Sequence, residues 1–299
     1  MIKIDLITGF LGSGKTTFLI KYAKYLIDKG EKICILENDF GAINVDMMLI
    51  SDLDCDREMV SGGCDYDCHL RRFRTKLISM ALRGYTRVIV EPSGIYDTDE
   101  FFDVLYEEPL NDFYEIGNIF CIYDINTKNL SYESRYILAS EASVCGKLII
   151  SKRNDDSKLD LSYINKIMKE FNCIRIFNDD DIIYEDIMDL NKIINIGYHS
   201  YDHIKIPINM DNNYDSIYFL DIDISLDKLL EIKTKLFNDS IYGNVARIKG
   251  FIKENNNYKR INITKEEINI NDNIDGQKVI IVIGENLNNN EINKLFNEE

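Results

Sequence analysis

The stretch "GFLGSGKTT", residues 9–17, decides how this chain is read. It fits the pattern G-x-x-x-x-G-K-[ST] and lies between an apolar run, "KIDLIT" (3–8), and a helix-like segment at 15–29. In that strand–loop–helix setting the loop is a phosphate cradle. Its glycines let the backbone wrap a phosphate, and the amides of Gly12, Ser13, Gly14, Lys15 and Thr16 are expected to point inward. The helix N-terminus that follows favours negative charge. Lys15 would reach the β- and γ-phosphates and the Thr16 hydroxyl would ligate Mg²⁺, with Thr17 completing the nucleotide-binding run. The chain is therefore expected to bind a nucleoside triphosphate.

Outward from that loop, short apolar runs alternate with helical patterns. "KICILE" (32–37), "RVIVEP" (87–92), "NIFCIYD" (118–124), "KLIIS" (147–151) and "CIRIF" (173–177) read as strands, with helices near 99–106, 133–140 and 160–170. Continuous apolar strands separated by helices predict an α/β fold with a mostly parallel sheet covered on both faces. The segment 178–215, rich in Asp, Asn and Tyr and holding Pro207, reads as a connection. From 216 the rhythm changes to strand "IYFLDID", helix "LDKLLEIKTKLF", strands near 243–252, 258–263 and 279–283, and a helix at 288–297. This predicts a smaller α+β domain, in which "KENNNYKR" (253–260) is a hairpin turn. The expected organisation is a nucleotide-binding domain at 1–195, a connection at 196–215 and the second domain at 216–299.

Composition narrows the function. Among 299 residues, 35 basic against 51 acidic side chains give a net charge of −16, which repels phosphate backbones and argues against a nucleic-acid partner. No basic stretch with an apolar core opens the sequence, and no apolar run approaches 18 residues, so a cytoplasmic protein without a membrane partner is expected. The seven cysteines sit mostly in apolar, strand-like surroundings and read as buried reduced thiols. Only Cys64 and Cys68 stand in a polar loop. A second nucleotide-side signal is "VIVEPSGI" (88–95), a strand ending in Glu91 with Ser93 and Gly94 behind it. An acidic strand end beside a phosphate loop holds Mg²⁺ through water or polarises the attacking water, and the Gly94 amide would sense the γ-phosphate.

Taken together, "GFLGSGKTT", "ENDFGAINVD" (37–46), a Gly–Cys loop and "EPSGI" (91–95) resemble the CobW-type metallochaperone GTPases, relatives of the urease and hydrogenase accessory GTPases. Order and spacing match through about residue 180. "VARIKGFI" (245–252) and "VIIVIGENL" (279–287) resemble the family's small C-terminal domain less specifically. The resemblance implies hydrolysis of a nucleoside triphosphate, GTP first, by Lys15, Thr16 and Glu91, coupled to capture of Zn²⁺ or Co²⁺ and handover to a client metalloprotein or cofactor-assembly protein. A nucleotide-dependent homodimer is a further expectation.

Two departures qualify this. Where the family carries a Cys-x-Cys-Cys cluster, this chain has "GGCDYDCHL" (62–70), which keeps Cys64 and Cys68 and surrounds them with Asp65, Asp67 and His69. A mixed S/N/O set drawn from Cys64, Cys68, Asp67 and His69, with Glu37 or Asp39 adding an oxygen, suits Zn²⁺ or Co²⁺. The same residues also read as an inert loop, or as a helix start capped by Asp67. Where such GTPases carry N-K-x-D, this chain reads "SKRND" (151–155): Lys152 can lie over the base, but Ser151 replaces Asn and Asn154 replaces the guanine-binding Asp. An amide in place of a carboxylate forfeits one of two guanine N–H bonds, a cost of about 1–3 kcal/mol.

Lesser features stay open. Segment 69–83 reads as an amphipathic helix with Leu70, Phe73, Leu77 and Met80 on its apolar face and Arg71, Arg72, Arg74 and Lys76 elsewhere, either solvated or docking an acidic partner. His199 and His203 share i, i+4 spacing but read as surface residues. Two rival functions remain: a small-molecule kinase, which needs arginines over a second pocket, and a nucleotide-gated regulatory subunit with little turnover.

Overall fold

The computed structural model describes residues 1–299 except 40–49, 51–52, 62–65, 95, 154–159, 200–213, 255–256, 266, 274–277 and 298–299. Chain contacts divide it into two compact units, Met1–Ile206 and Pro207–Glu299.

The first unit is built on a seven-stranded parallel sheet with strand order β3-β2-β4-β1-β5-β6-β7. Its strands are β1 (Ile2–Thr8), β2 (Ile33–Asp39), β3 (Asp56–Ser61), β4 (Arg87–Pro92), β5 (Tyr114–Asp124), β6 (Lys147–Ser151) and β7 (Ile182–Tyr184). Along β4 every residue is buried, as a central parallel strand covered on both faces requires. Helix α1 (Lys15–Asp28) lays Phe18, Leu19, Tyr22 and Leu26 against Ile7, Ile35 and Ile89 on one face. Further helices are α2 (Tyr66–Ala81), α3 (Asp99–Tyr106), α4 (Leu110–Phe113), α5 (Tyr132–Val144), α6 (Ser162–Glu170) and α7 (Leu190–Ile193). The strands all point the same way, so the loops after β1, β2, β4, β5 and β6 gather at one edge, where open α/β sheets bind ligands.

In the middle of β1, Asp5 is fully buried. Its carboxylate accepts from Arg87 Nη1 at 2.6 Å, Tyr22 OH at 2.8 Å and the Asn118 amide at 2.7 Å. Asn118 Nδ2 in turn donates to the Ile194 carbonyl at 2.8 Å, tying the segment after α7 to the sheet.

The structure corrects five expectations. "CIRIF" is not a strand: Ile174 is 82% exposed while Cys173 and Phe177 are buried, so its alternation faces the wrong way for the sheet. The seventh strand lies further on, at β7, inside the stretch read as a connection. "DREMVS" (56–61), absent from the expected strands, is β3, and helix α2 starts at Tyr66, three residues before the expected start. On that helix the buried line is His69, Phe73, Leu77 and Met80; Leu70 is only half-buried.

The second unit is a five-stranded antiparallel sheet, β11-β10-β9-β12-β8, with helices α8 (Leu226–Asn238) and α9 (Asn289–Asn297). Its strands are β8 (Tyr214–Leu220), β9 (Asn244–Glu254), β10 (Asn257–Ile263), β11 (Ile268–Asn273) and β12 (Val279–Glu285). Leu229 and Ile232 of α8 and Ile292 of α9 join Ile248, Ile280 and Val282 of the sheet in one core. β11 pairs with β10 throughout and was not expected from the sequence. Among the described residues no helix is long and apolar enough to cross a membrane.

Candidate functional site

The loop after β1 has the conformation its glycines permit. Gly12 has φ 75° and Gly14, which caps α1, has φ 102°, both in the left-handed region that side chains avoid. The Ser13 amide donates to the Phe10 carbonyl at 3.1 Å, and α1 begins with Phe18 N–H donating to the Gly14 carbonyl at 3.1 Å. Lys15 is buried, and its ammonium Nζ donates to the Gly9 carbonyl at 2.9 Å, folded back over the loop. Thr16 is half-buried and its Oγ1 donates to Glu91 Oε1 at 2.8 Å; Thr17 is exposed. The predicted Mg²⁺ hydroxyl and the strand-end glutamate are therefore in direct contact. Gly94, two residues beyond β4, is buried against the same loop, and a Cβ there would lie 2.8 Å from the Leu11 backbone nitrogen.

On the other side, β6 ends in Ser151, whose Oγ donates to the Ser13 carbonyl at 2.6 Å and so joins the predicted base-reading segment to the phosphate loop. Lys152 follows with φ 54° and pairs with Asp124 of β5 at 3.1 Å. Asn154 lies outside the described residues.

The predicted metal residues divide into two groups. Glu37 and Glu91 are directly in register on the adjacent parallel strands β2 and β4, and both are buried. They share parity with Ile35 and Ile89, so their side chains project from the α1 face. Asn38 points to the other face, where its Oδ1 lies 2.7 Å from His69 Nε2, and the Ser93 amide donates to the Asn38 carbonyl at 2.9 Å. His69 is completely buried and its Nε2 is committed to Asn38, across the sheet from Glu37. This removes it from a shared ligand set with Glu37. Asp67 is exposed in the first turn of α2 and does not cap it from outside; Cys68, half-buried, is on the helix and not in a loop. Cys64 lies outside the described residues, between Ser61, which pairs with Asp39, and the start of α2. Among the described residues, no three His, Cys, Asp or Glu side chains converge as a metal site. Elsewhere, burial pushes the Cys34 thiol up to about 12 and Cys145 up to about 11, so these buried cysteines stay protonated and are poor ligands. His199 is exposed, and His203 lies outside the described residues.

Compared with known protein families, residues 3–177 match the CobW/HypB/UreG nucleotide-binding domain. The chain belongs to this family. The zinc chaperone YeiR of Escherichia coli K12 is 30% identical over 125 residues, covering 42% of this chain and 38% of that protein. The zinc chaperone YjiA of the same organism is 24% identical over 160 residues, covering 50% of this chain and 49% of that protein. The chain thus spans half or less of the length of these curated relatives. Among solved structures, the Zn(II)-bound YjiA GTPase of E. coli aligns over 99% of this chain and 98% of its own, with 19% identity and a TM-score of 0.37.

One residue of this CobW/HypB/UreG domain's phosphate site escaped sequence reasoning. Glu141 of α5 is fully buried, and its Oε1 accepts from Thr8 Oγ1 at 2.7 Å and from the Gly9 amide at 3.3 Å. Burial pushes its carboxyl up to about 8, although the Lys15 charge and those two hydrogen bonds pull the other way. The sequence carried a weak signal for it: a glutamate within "LASEAS" (138–143), on the otherwise small and apolar face of a helix.

Proposed function

We propose that this protein hydrolyses a nucleoside triphosphate, GTP in the first place, and couples that cycle to binding and delivery of a transition metal. The reading rests above all on one juxtaposition: Glu91 touches Thr16, and Glu37 stands beside Glu91 in register. Thr16 and Glu91 are oxygen donors of the kind Mg²⁺ takes; they would hold the ion, whose charge would offset that of the phosphates. Lys15 would leave the Gly9 carbonyl for the phosphates. Glu91 would orient the attacking water from the position where it now accepts from Thr16. Cys64, Cys68, Asp67 and Glu37 would supply the metal site, with Cys68 entering on the first turn of α2. Zinc is favoured over cobalt by the relatives named zinc chaperones. A client metalloprotein would receive it.

Because coupling between two sites is reciprocal, triphosphate and metal should raise each other's affinity by one common factor, about 5–150-fold. Zn²⁺ and Co²⁺ titrations with and without a non-hydrolysable GTP analogue test this. Cys64→Ser/Cys68→Ser should lose tight metal binding while keeping metal-free nucleotide binding. Metal capture should also release protons and strengthen with rising pH, since thiolates are the ligands. Equal metal affinity in wild type and the double variant would refute the ligand assignment. Equal affinity with and without the analogue would refute the coupling. A second reading, nucleotide binding with little turnover, is favoured by Asn154 at the guanine-reading position; phosphate release in the presence of metal decides between them.

A further inference from the structure

Glu141 is more than a buried side chain beneath the phosphate loop. Its Oε1 accepts both hydrogen bonds, from the last residue of β1 and the first residue of the loop, while its Oε2 has no hydrogen-bond partner among the described residues. A carboxylate with one bare buried oxygen costs far more than the neutral acid in the same place. The groups facing it come from three other elements. Lys15 of α1 favours the charged form, whereas Asp97, just before α3, disfavours it. Cys121 of β5 is a buried thiol held well above its ordinary value, hence neutral. On α5 itself, Ser140 and Ser143 carry no charge. Burial outweighs Lys15, and the carboxyl titrates near 8.

Gly9 connects this acid to the nucleotide. Its amide donates to Glu141 while its carbonyl accepts from Lys15 Nζ. A phosphate chain in the loop would neutralise Lys15 and add negative charge, so the largest influence favouring ionised Glu141 would be offset as a repulsive one appears, with the Thr8 and Gly9 hydrogen bonds unchanged. We propose that Glu141 is a positioning residue of the phosphate site, fixing Thr8 and Gly9 through one oxygen and holding the proton the site gains when a nucleotide binds. The proposal rests on the reading that residues 9–17 bind a nucleotide.

Binding then raises the carboxyl's affinity for its proton. Nucleotide affinity is at its full value below the free protein's pKa and falls as pH rises through about 8. Calorimetry with Mg-GDP at pH 8, in buffers of different ionisation heat, should show uptake of about half a proton by the wild type. Wild-type affinity should be about five- to tenfold weaker at pH 9 than at pH 7. Glu141→Gln keeps an oxygen for Thr8 and Gly9 but cannot titrate; it should bind with the uptake gone and the pH dependence flat. Glu141→Ala should bind more weakly than Glu141→Gln at every pH, because Thr8 and Gly9 lose their acceptor. Wild type that binds Mg-GDP with no proton uptake at pH 8, or uptake that survives in Glu141→Gln, would overturn the inference while leaving nucleotide binding intact. No binding by the wild type would overturn both.

Discussion

Gly94→Ala adds one methyl group where the structure leaves no room for it. The new Cβ would lie 2.8 Å from Leu11 N, 2.9 Å from Leu11 Cα and 2.9 Å from Leu11 Cδ2, against ordinary contacts of 3.4–4 Å. The side-chain atom can rotate away, but the two backbone atoms belong to a loop pinned by Gly12 and Gly14 in left-handed conformations. The φ of Gly94 is not positive, so alanine adopts this backbone without strain and the cost is steric alone. Overpacking by one methylene-sized group costs about 1–3 kcal/mol. The empty loop can yield by a few tenths of an ångström, whereas a bound phosphate demands the wrapped form. The cost therefore falls on binding, and nucleotide affinity should drop by about 5–150-fold. Titration with a fluorescent GDP analogue measures this, with urea unfolding of the same sample. Gly30→Ala is the control: at φ 82° with nothing within 4 Å, it should lose about 1 kcal/mol of stability from backbone strain and bind nucleotide normally. Wild-type affinity and an unchanged urea midpoint in Gly94→Ala would refute the claim that the turn after β4 braces the phosphate loop.

Lys15→Ala should lose most nucleotide affinity and all phosphate release, because its buried ammonium is the side-chain cation in reach of the β/γ-phosphates; wild-type release rates would sink the loop as the active centre. Asn154→Asp should strengthen GTP binding by about 1–3 kcal/mol without affecting ATP, measured by competition against the fluorescent analogue. Glu58 is held below the usual carboxylate range by its hydrogen bond to Lys76, at 2.8 Å, and by its pairing with Arg83. Its folded value is depressed, so its contribution is present above the unfolded value and is lost as pH falls through the folded one. Glu58→Gln should leave the protein less stable at neutral pH and flatten this acid-side loss, read from urea midpoints between pH 3 and 7.

The parts of the fold legible in the sequence are those buried on both faces. β4, β6 and the core of β5 read as unbroken apolar runs because a central parallel strand has no polar side to show. The missed strands, β3, β7 and β11, all lie at sheet edges. β3 buries only Val60 fully, and β11 alternates Ile with Asn and Asp, so neither carries a core-strand signature. "CIRIF" has the opposite fault: its apolar content suggested a strand, but Arg175 occupies the inward position and donates to the Gly146 carbonyl at 3.3 Å, leaving Ile174 in solvent. The phosphate residues were legible because their chemistry fixes their spacing within nine positions. Glu141 was not, since it meets Gly9 across 132 residues of chain, and no local pattern encodes that distance. His69 stands beside two cysteines in the sequence, and the helical period places it in line with Phe73 and Leu77, with its Nε2 against Asn38.

The lateral match of Glu37 with Glu91 limits how relatives of this chain can diverge. Side chains on a strand alternate faces with a period of two, so deleting or inserting one residue inside β2 or β4 would carry one glutamate through to the side where Asn38 meets His69. Such a change would leave every residue type in place and still part the two carboxylates. Length variation is therefore excluded from β2 and β4 themselves. An alignment that puts a gap within either strand pairs residues that cannot be equivalent, however well the flanking motifs agree.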